Sequence, residues 1–138
     1  DSKCENLYVV DTFNHQLLRF DYSIEKGASG PPETVIQFDD MPDGASVDAA
    51  DNIIICHWSD KRHISIWSLK DYGLIESVPF PVKHICCGGF GGPDMKDLYI
   101  ATSKFWLPDG DPDYDAGAGG IFKARTEIAG NPDYFYKV

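Results

Sequence analysis

Residues 52–57 read NIIICH, the most apolar run in the chain, with an acidic, turn-prone Asp48-Ala49-Ala50-Asp51 before it and Trp58-Ser59-Asp60 after it. The run is too short for a helix and rich in β-branched residues, so it reads as a buried strand. Its form recurs. NLYVVD at 6–11 and DLYIAT at 97–102 are likewise short β-rich runs opened by Asn or Asp, and the three stand at intervals of roughly 45 residues. Each is followed by a second apolar strand with an aromatic residue near its end: LLRFDY with Phe20, ISIWSL with Trp67 and GIFKAR with Phe122. Further strands are expected at ETVIQF and LIESVPF, with Pro, Gly and Asp turns between, and no stretch holds a helical period over three turns. The class is all-β.

A repeat of about 40–45 residues with four short antiparallel strands is what one propeller blade requires. The second blade would comprise GASVD, NIIICHW, HISIWSL and LIESVPF, and the third ICCGGF, DLYIAT, GGIFKA and DYFYKV. The first has room for three strands, because only DSKCE precedes residue 6 where a counterpart of GASVD should sit. The expectation is a β-propeller arc of three blades, approximately 1–40, 41–81 and 82–138, the first lacking its innermost strand. A sandwich of short strands is the alternative, but it would not produce an aligned repeat.

Length and charge bound the function. The 138 residues suffice for one domain, and 43% hydrophobic content suffices for a core. Twenty-two acidic against twelve basic residues give a net charge of −10 with no basic stripe, which argues against nucleic acid and anionic membrane as partners. No apolar run approaches a bilayer span and no secretion signal opens the chain; the first residue, Asp1, points to a processed or cut terminus. Cys4, Cys56, Cys86 and Cys87 have no metal-ligand spacing, and the last two are neighbours, which disfavours their pairing. Free thiols and a cytoplasmic location follow as expectations.

MPDGASVDAADNIIICHW (41–58), PFPVKHICCGGFGGPDMKDLYIATSK (79–104) and DAGAGGIFKA (115–124), in that order, carry a resemblance over nearly the whole chain. The chain resembles the C-terminal half of the senescence marker protein, regucalcin and gluconolactonase family, and more distantly squid diisopropyl fluorophosphatase. The resemblance implies six blades around a channel holding a divalent cation: calcium, or else zinc, magnesium or manganese. It further implies hydrolysis of lactones.

In that family the aspartate of Pro-Asp-Gly is a metal ligand, a position occupied here by Asp43. An acidic residue at the mouth of a buried strand is costly unless something offsets its desolvation, and a cation would do so. Asp-Gly is also an ordinary turn dipeptide, so the flanking motifs decide the reading. The resemblance gives Asp43 a second role as general base and places Trp58 in the substrate-pocket wall. Ser103, just past YIAT, is a further candidate for substrate contact, or a strand-end turn residue. The other family ligands, a glutamate and two asparagines, fall before Asp1. This chain alone is therefore expected to be inactive and to work with a complementary N-terminal half-propeller chain. A propeller that binds calcium or a partner without catalysis is the alternative function.

Other constellations carry less. Asp109, Asp111, Asp113 and Asp115 alternate like the start of a calcium loop, but Tyr114 and Gly120 stand where Gly and Glu are required, leaving a solvated acidic loop as the expectation. GGFGGPD lacks the Lys-Ser/Thr of a phosphate loop and reads as a turn. His15, His57, His63 and His84 show no zinc spacing and are expected to be structural or exposed.

Overall fold

The structure, a computed structural model, describes residues 1–132. Among the described residues there are ten strands and no helix, in three antiparallel sheets: β1 (Asn6–Asp11), β2 (Gln16–Ser23) and β3 (Gly27–Gln37); then β4 (Met41–Val47), β5 (Asn52–Trp58), β6 (His63–Ser68) and β7 (Leu74–Pro79); then β8 (Ile85–Gly91), β9 (Asp97–Thr102) and β10 (Ile121–Arg125). Each sheet is an up-and-down meander, the form of a propeller blade. The fold is a partial β-propeller. The strand expected over 133–138 lies outside the described residues.

The blades pack through the two faces of β5. Ile53 and Ile55 turn toward the first blade and join Leu17, Ile36 and Phe38; Ile54 turns the other way, with Cys56, toward Ile85, Leu98 and Ile100 of the third. Successive side chains on a strand point to opposite faces, so a strand flanked on both sides must be apolar at every position. That is why NIIICH lacks the alternation seen in its two counterparts. In β1, Tyr8 and Val10 pack inward while Leu7 and Val9 remain 40% exposed on the face away from the second blade. In β9, Tyr99 is exposed between buried Leu98 and Ile100.

The first blade has three strands, as expected. β1 occupies the place that β5 holds in its blade, and among the described residues it pairs only with β2. The outer strand β3 accommodates Pro31 and Pro32, which have no amide donor, because the pairing of β2 with β3 skips from Glu33 to Ser29.

The inner strands β4 and β8 lie side by side. The Ser46 hydroxyl donates to the Gly88 carbonyl across the seam. Both strands bulge there. Pro42 pairs with His57 and Ala45 with Ile55, so Asp43 and Gly44 together face one residue of β5; on β8, Cys86 is the extra residue between the partners of Thr102 and Ala101. A bulge bends the strand and re-aims its side chains, and here two of them meet at one point of the seam.

The acidic loop departs from expectation. Asp113 is fully buried and Asp111 is 8% exposed. Asp113 accepts from the Lys83 amide at 2.8 Å and lies 2.7 Å from the Arg62 guanidinium, while Asp111 pairs with the Lys83 ammonium at 2.8 Å. Two cations on the second and third blades thus draw the loop down, and only Asp109 and Asp115 remain in solvent.

Candidate functional site

The bulge places Asp43 in a cavity of about 210 Å³ lined by Thr12, Phe13, Met41, Asp43, Trp58, Phe105 and Trp106. All three blades contribute: the β1–β2 turn, the start of β4, the end of β5 and the loop after β9. The structure therefore brings Asp43 and Trp58 together at one end of the inner strands.

Among the described residues, nothing donates a hydrogen bond or an ion pair to the Asp43 carboxylate. Burial alone holds its carboxyl above the usual carboxylate range. Its neighbours Cys56 and Cys86 do not compensate. Burial pushes the Cys56 thiol up to about 12 and the Cys86 thiol up to about 11, with the Asp43 charge adding to both. These thiols are neutral at physiological pH and are not nucleophiles. A desolvated carboxylate beside neutral groups is a position that a cation fits, so the donor expected from the sequence is suited to a metal. It is a single ligand.

Trp58 is anchored from behind. Its ring stacks on His84 at 4.3 Å with 19° between planes, and a backbone bridge links the same two residues. Trp106 meets Trp58 edge-on at 5.9 Å and lies 4.8 Å from Phe105. Phe13, Phe105 and Trp106 are 83%, 62% and 68% exposed. Large aromatics rarely stand this open without something to bind, and together they make an apolar rim above one carboxylate.

Ser103 does not line this cavity. Its amide donates to the His84 carbonyl and its hydroxyl accepts from the Phe105 amide at 2.9 Å. It holds the turn that presents Phe105 and Trp106. The aromatic rim escaped the sequence reading, although Phe105-Trp106 set in the polar stretch from Ser103 to Asp111 was a visible signal.

A second polar group was also missed. Asp40, His57 and His63 converge with their ligand atoms within 4.8 Å of one another, on the side of the second blade facing the first. His57 Nε2 lies 2.6 Å from Ser65 Oγ, and Ser65 Oγ accepts from Trp67 Nε1 at 2.7 Å. Burial lowers His57 to about 4, and its ring is neutral. The spacing of these residues matches no zinc motif because three separate segments supply them.

Residues 2–104 match the SMP-30/Gluconolactonase/LRE-like region, and the chain belongs to that family. Among curated proteins it is 31% identical over 129 residues to YvrE of Bacillus subtilis, whose name proposes it as a sugar lactone lactonase; the match covers 90% of this chain and 43% of YvrE. It is 26% identical to the pentonolactonase XacC of Haloferax volcanii, covering 94% of this chain and 46% of that protein. The crystal structure of a calcium-binding protein, regucalcin, from Agrobacterium tumefaciens superposes with a TM-score of 0.87 at 24% identity, over 97% of this chain and 46% of that one. The chain thus spans under half the length of the relatives it matches. No helix among the described residues is long and apolar enough to cross a membrane.

Proposed function

We propose that this chain forms the Asp43-bearing wall of a cation-dependent lactone hydrolase. The observation that carries the reading is the bulge that sets an uncompensated Asp43 carboxylate at the floor of an aromatic-rimmed cavity. A divalent cation bound there, calcium first and zinc, magnesium or manganese as the alternatives, would polarise the lactone carbonyl. Asp43 would hold the cation, and its carboxylate would take the proton from the attacking water. Trp58, fixed by His84, presents its face to the lactone ring, and Ser103 positions Phe105 and Trp106 across the mouth.

The remaining ligands must come from elsewhere. A calcium-type cation takes six to eight oxygens, and Asp43 is the one carboxylate among the described residues lining this cavity. Leu7 and Val9 on one terminal blade and Tyr99 and Ile121 on the other leave apolar faces bare, as expected of an arc that another half-propeller completes. A reducing, cytoplasmic setting fits the four free thiols.

The test is proton release on opening of an aldonolactone, followed by pH-stat with the completed propeller, this chain together with its complementary half. Turnover should cease on chelation and return with added calcium or zinc. Hydrolysis that survives complete chelation, or no lactone opening by the cation-loaded protein, contradicts the reading.

A further inference from the structure

The group at Asp40, His57 and His63 poses a separate problem. Both carboxylate oxygens of Asp40 and the Nδ1 atoms of His57 and His63 are buried without a hydrogen-bond partner. His57 is 98% buried, since its exposure is 2%, and Asp40 is 10% exposed. Asp40 Oδ1 lies 2.7 Å from His57 Nδ1 without the alignment of a hydrogen bond, and Oδ2 lies 3.7 Å from His63 Nδ1. Leaving so many polar atoms unmatched in one place is costly unless a ligand satisfies them together.

We infer that Asp40, His57 and His63 bind a first-row divalent transition metal, distinct from any cation at Asp43. Two imidazole nitrogens and one carboxylate oxygen form a donor set for zinc, cobalt or nickel and a poor one for calcium, which takes oxygen ligands. The outer hydrogen bonds are already in place. His57 Nε2 faces Ser65 Oγ, and a ligating histidine characteristically donates its other N–H to such an acceptor. Metal at Nδ1 selects the tautomer with the proton on Nε2, so the ring stays neutral. The Trp67 indole holds Ser65 from the far side.

Access and geometry permit it. The three residues line a cavity of about 510 Å³ whose mouth carries the Lys61–Asp39 ion pair at 2.6 Å. The imidazoles stack at 4.2 Å with 18° between planes. A metal must lie near the plane of each ring it binds, so His63, the less buried of the two, has to tilt as the ion enters. That leaves a fourth position open to water from the cavity.

This site does not depend on the lactonase reading, and the experiment keeps the two apart. The intact Asp43→Asn protein, stripped with chelator, is titrated with Co2+, and the ligand-field absorption and melting temperature are recorded. One equivalent is expected to bind, with a visible spectrum of nitrogen and oxygen coordination and a raised melting temperature. His63→Ala, at the solvent-facing ligand, should weaken binding at least tenfold while the protein remains folded. Asp40→Asn serves as the second ligand variant. Absence of Co2+ binding in Asp43→Asn, or an unchanged spectrum and affinity in folded His63→Ala, would overturn the inference.

Discussion

A β-carbon added to Gly44 would lie 2.5 Å from the Cys86 carbonyl oxygen and 2.5 Å from the Cys87 β-carbon. The innermost strands of two blades therefore touch at a residue that must have no side chain, and that residue follows Asp43 in the bulge. Neither obstructing atom belongs to the flexible end of a side chain, so the seam has to open to admit a methyl group. Gly44→Ala should cost about 1–3 kcal/mol, the usual range for overpacking, and displace Asp43. Urea unfolding of the metal-free protein measures this; unchanged stability would show that the seam does not require the glycine.

Asp43 exacts a cost in the absence of a cation. Its folded-state pKa is raised, so its contribution favours folding at low pH, where it is protonated, and is lost as pH rises through the folded value. At neutral pH the metal-free protein carries a desolvated charge. Asp43→Asn should raise the melting temperature of the chelated protein and abolish the further rise that calcium produces in the parent. A lower melting temperature in the chelated variant would mean that the charge has a stabilising partner.

His57 shows the opposite pH dependence. Its folded-state value of about 4 lies below its ordinary value near 6.5, so the neutral ring's contribution is complete above about 6.5 and declines as pH falls toward 4. In metal-free protein, the NMR-detected titration of the His57 ring should show no midpoint above pH 5. A midpoint near 6.5 would contradict its burial as a neutral group.

The repeat of β1, β5 and β9 was legible because a strand's face pattern is written in consecutive residues. NIIICH lies between two blades and is apolar from Ile53 to Cys56, whereas NLYVVD and DLYIAT each have one uncovered face in this chain. The Asp43 site was legible only through its motif. The role of Gly44 was not, since the atoms that exclude a β-carbon belong to a strand some forty residues away, and no local rule reports them. The same holds for the aspartate loop. Alternating Asp109 to Asp115 reads as solvated until Arg62 and Lys83 are seen to reach it. Asp40, His57 and His63 likewise become a group only when three segments fold together.

Trp58 offers a test of the cavity wall. Trp58→Ala removes a face held by His84 without touching the carboxylate, so the loss should fall on substrate binding. KM for a sugar lactone is expected to rise about tenfold, equivalent to about 1.4 kcal/mol, with a smaller change in kcat. Phe105→Ala and Trp106→Ala should act in the same direction. An unchanged KM in all three variants would remove the aromatic rim from the substrate site.

The most direct measurement is lactone turnover by the intact Asp43→Ala protein, made beside its circular dichroism spectrum and thermal unfolding. If Asp43 holds the cation and accepts the water's proton, hydrolysis should fall to the uncatalysed rate while the propeller signature and cooperative melting persist. A folded Asp43→Ala protein that still opens lactones at the parent's rate would contradict the account.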